Sequence, residues 1–254
     1  RLGSFQRPGG GFSYWPGQNY TNDWGTTYAG HFLLEAEKRG YVLPIGFKSS
    51  WVKYQQGIAK QWRAGSNSDL AQAYRLYTLA LSGNADVASM NRMRESTGIS
   101  NEGKFRLAAA YAIIGQADVA KKILSGARLD VENNKYHYYT YGSSDRNRAM
   151  ALETMVLTKD SKMRELAEDI ARDLSSNQWM STQTTAYSLL AIGKYLGDNA
   201  PEKIMTVDYK VGKKATKTRK TMKPMQEERA CLGGIKSRML LQAFLMISPM
   251  QFLP

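Results

Sequence analysis

The chain has 254 residues, 43% of them hydrophobic, which is enough to bury the core of one full-sized domain. Its single cysteine, Cys231, excludes an internal disulfide framework and a cysteine-rich metal site. The formal net charge is +13, but residues 201–254 alone hold eleven Lys and Arg against four Asp and Glu. Because no aromatic residue interrupts the basic run from Lys210 to Lys223, we interpret it as a solvated edge and expect no nucleic-acid partner.

No apolar run in the sequence is long enough to span a bilayer. The chain begins at Arg1 rather than at an initiator methionine, so we expect it to be a piece of a longer protein. A signal peptide or a lipid anchor would then lie outside this chain, and the membrane would be reached only through that anchor. The scarcity of cysteine does not place the protein in the cytosol, since many exported bacterial proteins lack disulfides.

The segment Gly9–Tyr41 joins a turn rich in glycine and aromatic residues to a predicted helix. Asn22 and Asp23 are typical of helix starts, and Gly40 can adopt the left-handed conformation that ends a helix, so the helix is predicted to run to about Arg39. A turn that carries tyrosine, tryptophan and proline is too bulky for a solvated linker. We therefore expect it to pack against the rest of the domain.

A second tryptophan turn precedes another predicted helix. Trp179 is followed by the hydroxyl-rich stretch 181–185, much as the first turn is followed by Thr26 and Thr27. Further helical patterns start near residues 69, 102 and 145, which gives alternate helices a spacing of about 33 to 43 residues. This period indicates helix–turn–helix repeats that bury a core by stacking. An open solenoid and a closed ring both fit the pattern, and the tryptophan turns favour the ring.

The sequence predicts an all-α domain over residues 1–198 and a short β segment at the start of residues 199–254. Lys135–Tyr141 is aromatic and alternating, which favours a short strand or an extended loop, and Met205–Val211 alternates as a strand does. The apolar C-terminal stretch could be a terminal strand pair or a stray end. Capping residues and apolar spacing predict the other helices, at Ser68–Gly83, Asn101–Gly115, Asp118–Leu124, Asp145–Val156 and Asp160–Leu174.

Six motifs, taken in order and spacing, resemble the thioester domain of bacterial alpha-2-macroglobulins, a domain shared with the complement thioester proteins. The resemblance covers about residues 1–198. It implies an α/α toroid of two concentric rings of helices, left incomplete by the absence of upstream helices and followed by the start of a β-domain. The motifs are Gly9–Tyr41, Ala73–Ala80 (AYRLYTLA), Met90–Glu95 (MNRMRE), Leu107–Gly115 (LAAAYAIIG), Tyr141–Glu153 (YGSSDRNRAMALE) and Trp179–Tyr187 (WMSTQTTAY).

In that family a Cys-Gly/Leu-Glu-Gln motif forms an internal thioester, which captures an attacking protease after a bait region is cut. This chain has no such motif, and Cys231 is followed by Leu-Gly rather than Glu-Gln. The resemblance therefore implies a non-catalytic part of an endopeptidase inhibitor, and whether a thioester motif lies upstream stays open. It also implies that the partners are other domains of the parent protein and target proteases. The parent would be exported, either periplasmic or anchored as a lipoprotein.

Complement-type relatives carry a histidine that transfers the acyl group to hydroxyls. The resemblance places this residue in the stretch Gln55–Ser68, which contains no histidine, and so implies amine-directed capture. Of the two histidines present, His31 lies on the first predicted helix and is interpreted as a packing residue. His137 lies between two tyrosines and has no partner for general-base chemistry at a readable spacing.

The alternative functions are a glycan-active enzyme on the same toroid and a glycan- or peptide-binding scaffold. A hydrolase needs two carboxylates that face a cleft. Glu35 and Glu37 are candidates for one of them, and Glu153 and Asp145 for the other, although carboxylates on helix surfaces usually face water. Isolated aspartates disfavour a cyclase, and a helical region without cysteine disfavours a zinc prenyltransferase. We expect no catalytic, metal-binding or cofactor-binding residue in this chain.

The aromatic residues of the two tryptophan turns could form a docking face for the adjoining β-domains. Interfaces favour Trp and Tyr because one ring buries a large apolar area while its polar edge still forms hydrogen bonds. The other interpretation is that the rings only pack the loops over one end of the toroid. The residues concerned are Tyr14, Trp15, Trp24, Tyr28 and Trp179.

Overall fold

Helices dominate the computed structural model, which describes residues 2–65, 68–129, 136–137, 140–199, 204–211 and 214–221. The all-α prediction is confirmed. The helices are α1 (Asp23–Lys38), α2 (Phe47–Gln61), α3 (Asp69–Leu81), α4 (Val87–Arg94), α5 (Asn101–Ile113), α6 (Ala117–Ser125), α7 (Ser144–Thr158), α8 (Met163–Leu174) and α9 (Thr182–Asn199).

The odd-numbered helices form an inner ring, and the even-numbered helices lie outside them. α1, α3, α5, α7 and α9 follow one another around the ring, and each packs on the next. α3 is buried nearly all round, whereas the outer helix α6 buries only Ala120. This arrangement of helical hairpins in two layers is the predicted α/α toroid, and it puts the core between the inner helices.

The inner helices run in the same direction. At one end of the pair α7 and α9, the hydroxyls of Ser143 and Thr184 lie 3.0 Å apart. At the other end, Lys194 Nζ lies 2.5 Å from Glu153 Oε1. Because an antiparallel outer helix separates each inner helix from the next, the N-termini of the inner ring meet at one end of the toroid and the C-termini at the other.

The ring has a seam between its last helix and its first. The backbones of α9 and α1 approach each other less closely than those of the other neighbouring inner helices. Side chains bridge the seam instead: the rings of Tyr28 and Tyr187 lie 5.6 Å apart, and Lys194 Nζ lies 2.6 Å from Glu35 Oε1. The backbones of α9 and α1 therefore do not pack closely, and the side-chain contacts between them close the ring.

The starts of α1 and α5 and the end of α1 follow the predicted capping chemistry, whereas the predicted cap Ser68 makes no capping hydrogen bond to α3. The Asn22 side chain accepts a hydrogen bond of 2.6 Å from the Gly25 amide at the start of α1. Ser100 caps α5 in the same way. Gly40 follows α1 with φ of +82°, a left-handed conformation that side chains disfavour.

The first tryptophan turn packs in its first half only. Gly10 has φ of +96°, and a Cβ there would lie 2.1 Å from the Ser50 carbonyl oxygen, so the backbone can approach α2 only because this residue is glycine. Phe12 is 2% exposed. The second half, from Trp15 to Gly17, is exposed, so the expectation that the whole turn packs is wrong there.

Two short antiparallel hairpins accompany the helices. β1 (Tyr136–His137) pairs with β2 (Gly142–Ser143), which confirms extended structure within the predicted aromatic segment. β3 (Ile204–Val211) pairs with β4 (Lys214–Thr221), so the predicted strand is the first arm of a hairpin. The division into two domains stays a prediction, and Cys231 and the apolar C-terminus lie outside the described residues. Among the described helices, none is long and apolar enough to cross a membrane.

Candidate functional site

A group of five ionisable side chains, here called the charged cluster, lies inside the ring towards the C-terminal ends of the inner helices. It consists of His31 and Glu35 from α1, Arg106 from α5, Glu153 from α7 and Lys194 from α9. His31, Arg106 and Glu153 are at most 2% exposed, and Lys194 is 18% exposed. Charged groups are almost never this buried unless they are paired, so the cluster is the first candidate for a functional site.

Glu153 is the centre of the charged cluster. One carboxylate oxygen, Oε1, lies 2.5 Å from Lys194 Nζ, and the other, Oε2, accepts a hydrogen bond of 2.5 Å from Arg106 Nη1. Lys194 also lies 2.6 Å from Glu35 Oε1, and the second oxygen of Glu35 accepts from Arg39 at 2.9 Å. Each carboxylate thus turns Oε1 towards the shared ammonium and Oε2 towards an arginine.

The charges of the cluster balance when His31 is neutral. Burial alone would raise the pKa of Glu153, but Lys194 and Arg106 hold that pKa well below its usual range. The pKa of Glu35 is also lowered, against the effect of burial, by His31 and Lys194. Burial lowers the pKa of His31 in spite of the neighbouring carboxylates. Within the cluster two carboxylates therefore face two cations, with an uncharged imidazole beside them, and the more exposed Arg39 adds a third cation at the edge.

A tyrosine network surrounds the imidazole of His31. Tyr74 Oη lies 2.9 Å from His31 Nδ1 and also contacts Tyr187 Oη, while Tyr77 donates a 2.7 Å hydrogen bond to Glu153 Oε1. The other imidazole nitrogen, Nε2, lies 3.7 Å from Glu35 Oε1 and 3.9 Å from Glu153 Oε1. These distances are too long for hydrogen bonds, and Nε2 has no hydrogen-bond partner in the described part of the chain.

A further buried cation, Arg146, lies nearer the N-terminal end of the ring. Its guanidinium stacks 4.4 Å above the Trp24 ring and donates to neutral acceptors, including Thr140 O at 3.0 Å and Gln183 Oε1 at 2.6 Å. Burial lowers the pKa of Arg146 to about 10. Gly142 leaves room for it, because a Cβ there would lie 2.2 Å from the guanidinium carbon.

The structure separates the five residues of the predicted docking face. Trp24 is 3% exposed and Tyr28 is 9% exposed, because both project from the first turns of α1 into the ring. They are core residues, which corrects their assignment to an outward face. Trp15 is 38% exposed and Trp179 is 77% exposed, while Tyr14 is half-buried and its ring lies 5.5 Å from that of Tyr141, tilted by 31°.

The fold resembles solved structures of bacterial alpha-2-macroglobulins. The E. coli protein in its native conformation, seen by cryo-EM, aligns with 86% of this chain at 20% identity and a TM-score of 0.64. Salmonella alpha-2-macroglobulin reacted with methylamine aligns with 87% at 20% identity and a TM-score of 0.67. The E. coli protein from domain MG7 to the C-terminus aligns with 87% at 21% identity and a TM-score of 0.67. This chain has the fold of an alpha-2-macroglobulin segment.

That segment is a small part of the macroglobulins it matches. The aligned region spans 15% of the E. coli cryo-EM chain and of the Salmonella chain, and 37% of the shorter E. coli crystal structure. No protein-family profile and no characterised protein matches the sequence. At this level of identity the structural match confirms the predicted resemblance for the fold.

Within the macroglobulin fold, the carboxylate pair considered for a hydrolase does form. Glu35 and Glu153 meet in the charged cluster, whereas Glu37 pairs with Lys48 at 2.5 Å and Asp145 lies 3.7 Å from Arg148. A glycoside hydrolase needs one carboxyl group that stays protonated at the open face of a cleft. Both members of this pair are buried and ionised, so the site lacks a general acid.

Sequence reasoning named the two carboxylates of the charged cluster in this macroglobulin-like fold but neither of the buried cations that hold them. His31 was assigned to packing, which accounts for its burial but not for its carboxylate neighbours. Arg106 and Glu153 lie within apolar helical runs, at positions that face the core. A charged residue at such a position is the one signal that could have found Arg106, although it does not identify the partner.

Stability is expected to fall as the pH is lowered from 7 to 5, because the folded state holds His31 neutral. A histidine whose folded pKa is lowered contributes stability above its unfolded pKa, near 6.5, and loses it below. The slope approaches about 1.4 kcal/mol per pH unit for one proton. Glu35 and Glu153, whose pKa values are also lowered, add a further loss below about pH 4.5.

Urea denaturation between pH 5 and pH 7 measures this dependence. His31→Gln should flatten the profile in that range, because glutamine has no proton to take up. His137→Gln removes the other histidine of the chain and should leave the profile unchanged. A profile that is flat in the unmodified protein, or that only His137→Gln flattens, would contradict the assignment.

Proposed function

We propose that this chain is part of the thioester-type domain of a bacterial alpha-2-macroglobulin-like inhibitor that traps endopeptidases. The observation that carries the proposal is the match of the toroid, over 86% to 87% of the chain, to macroglobulins seen in native and protease-activated forms. The six motifs in order along residues 1–198 support the same assignment. The ring would serve as a rigid body that holds the thioester segment. Through its contacts with the other domains, it would couple exposure of that segment to the rest of the protein.

We place the covalent chemistry outside this chain. The sequence has no Cys-x-Glu-Gln stretch, and Cys231 is followed by Leu-Gly. The charged cluster offers no substitute, because its carboxylates are buried and held by cations. The partners are then the other domains of the longer protein and the proteases it traps. The longer protein is exported, either periplasmic or held at the membrane by a lipid anchor.

The exposed aromatic residues remain a proposed docking face for neighbouring β-domains. Trp179 is 77% exposed, and Trp15 protrudes beside the Tyr14–Tyr141 ring pair. Large rings that are exposed in this segment and packed against another domain in the longer protein would bury substantial apolar area. This face is now reduced to Tyr14, Trp15 and Trp179.

Incubation with labelled methylamine tests the proposal. The 254-residue chain should take up no label, because it lacks the thioester pair. The full gene product should take up one label per molecule, at a site outside residues 1–254. Treatment with trypsin should activate the full gene product for this reaction. The full gene product should also shield bound trypsin from large protein inhibitors while small substrates still reach the trypsin active site.

Two results would overturn the proposal: label within residues 1–254, or a full-length protein that neither takes up amine nor shields trypsin. The absence of histidine from Gln55–Ser68 predicts a preference for amines over hydroxyls as acyl acceptors. Activated full-length protein should react with methylamine in preference to glycerol. A preference for glycerol would contradict amine-directed capture while leaving the inhibitor assignment intact.

A further inference from the structure

Three side chains of the charged cluster have the chemistry and spacing of metal ligands. His31 and Glu35 lie four residues apart on one face of α1, and Glu153 reaches them from α7. One ligand atom from each lies within 4.8 Å of the other two, and all three side chains are buried. An imidazole with two carboxylates suits first-row divalent cations of the zinc class better than calcium or magnesium, which prefer oxygen ligands alone.

The orientation of His31 points independently to a ligand. Its side chain is 2% exposed, yet Nε2 faces the two carboxylates without a hydrogen-bond partner in the described residues. The opposite nitrogen, Nδ1, is held by Tyr74 Oη at 2.9 Å. Metal-binding histidines are oriented in this way, by a hydrogen bond at the nitrogen that does not bind the metal. The contact between Tyr74 and Tyr187 allows Tyr74 either to donate to Nδ1 or to accept from it.

The Lys194 ammonium occupies the place that a metal ion would take between these three side chains. Its ammonium lies 2.5 Å from Glu153 Oε1 and 2.6 Å from Glu35 Oε1, the two oxygens that face His31 Nε2. The second oxygen of each carboxylate is already held, by Arg106 at 2.5 Å and by Arg39 at 2.9 Å. The oxygens that face the lysine are therefore oriented as single-oxygen ligands whether or not the lysine is there.

The site has a route to solvent. Lys194 is 18% exposed and comes from α9 across the seam of the ring, so its flexible side chain can withdraw without rearranging α1 or α7. A cavity of about 190 Å³ lies beside Glu35 and is also lined by Leu34 and Leu81. The partly exposed Lys194 is the side chain through which the cluster meets solvent.

We propose that His31, Glu35 and Glu153 form a binding site for a zinc-class divalent cation, which binds in exchange for the Lys194 ammonium. The ligand atoms are His31 Nε2, Glu35 Oε1 and Glu153 Oε1. Three protein ligands leave a fourth position for water, as in zinc sites that are not closed. The site is independent of the proposed inhibitor function, since it uses none of the docking residues.

Cobalt titration of the full 254-residue chain tests the site, with visible absorption as the readout. Lys194→Met removes the competing ammonium and should bind Co²⁺ at least about tenfold more tightly than the unmodified chain, a change of one decade in Kd. Glu153→Gln in the Lys194→Met background should abolish that gain. Lys48→Met is the matched control, because Lys48 pairs with Glu37 at 2.5 Å outside the cluster and should not affect binding.

Two further observations keep the test decisive. Binding through Cys231 would produce a near-ultraviolet thiolate band, which we expect to be absent. If Lys194→Met unfolds without metal, Zn²⁺ should restore its helical circular dichroism, because metal binding contributes folding free energy. The proposal is overturned if Lys194→Met binds no better than the unmodified chain, if Glu153→Gln leaves the gain intact, or if Zn²⁺ fails to refold an unfolded variant.

Discussion

Glu153→Gln is expected to lower the free energy of unfolding by about 3 to 5 kcal/mol, as breaking one side of a buried ion pair usually does. The substitution keeps the shape of the side chain and removes its charge. Lys194 retains Glu35, but Arg106, which is 1% exposed, keeps no carboxylate partner among the described residues. Urea denaturation at pH 7, analysed by linear extrapolation, measures the change.

A matched surface substitution sets the scale for this result. Glu168 pairs with Arg164 at 2.9 Å, with both side chains more than half exposed, so Glu168→Gln should leave the free energy of unfolding almost unchanged. The double variant Glu153→Gln with Lys194→Met should be less destabilised than the sum of the two single variants, because both charges leave together. If Glu153→Gln and Glu168→Gln lowered the free energy of unfolding equally, the buried cluster would not be charged as described.

Gly30→Ala is expected to destabilise the protein by about 3 kcal/mol or more, the upper end of the range for overpacking a core. Gly30 lies within α1, where alanine normally favours the helix by about 1 kcal/mol. An added Cβ would lie 2.1 Å from Cε2 of Trp51, a ring that is 2% exposed. The Trp51 indole N–H donates to the Thr26 carbonyl at 2.9 Å, which prevents the ring from turning aside.

Gly57→Ala is the control, because it makes the same change in the neighbouring helix. Gly57 lies within α2, and a Cβ there meets nothing within 4 Å. It should raise stability by up to about 1 kcal/mol. The two variants are thus expected to shift the thermal midpoint in opposite directions, and a shift in the same direction would disprove the close contact between α1 and α2.

The inner helices could be predicted from the sequence because their ends are determined locally. Asn22 and Ser100 are polar caps that begin α1 and α5, and Gly40 ends α1 in a left-handed conformation. Neither α4 nor α2 is among the predicted helices, and α2 shows the reason. It begins after Gly46, at φ of +78° and without a polar side-chain cap, and its own sequence contains serines and a glycine that favour the helix little. Packing against α3 makes this segment helical.

Glu35 and Glu153 are candidates from the sequence, but the cations of the charged cluster could not be predicted because their placement depends on the register of four helices. The pairing of Glu153 with Lys194 and Arg106 follows from how far α5, α7 and α9 are shifted along one another. Trp24 and Tyr28 are core residues rather than part of the docking face for a related reason. Trp24 and Trp15 are the same residue type and lie close together in the sequence. Trp24 begins a helix and faces inward, whereas Trp15 lies in a turn and is exposed.

The seam between α9 and α1 gives the ring its cooperativity. The other inner helices pack on neighbours in sequence, so each hairpin can form its contacts alone. The charge balance cannot form in this way, because Glu35, Glu153 and Lys194 come from the first, fourth and fifth inner helices. A partly assembled ring would keep the pairs Glu153–Arg106 and Glu35–Arg39 but would lack the Lys194 ammonium that joins the two carboxylates. Electrostatics thus favours completion of the ring over a modular array of independent hairpins.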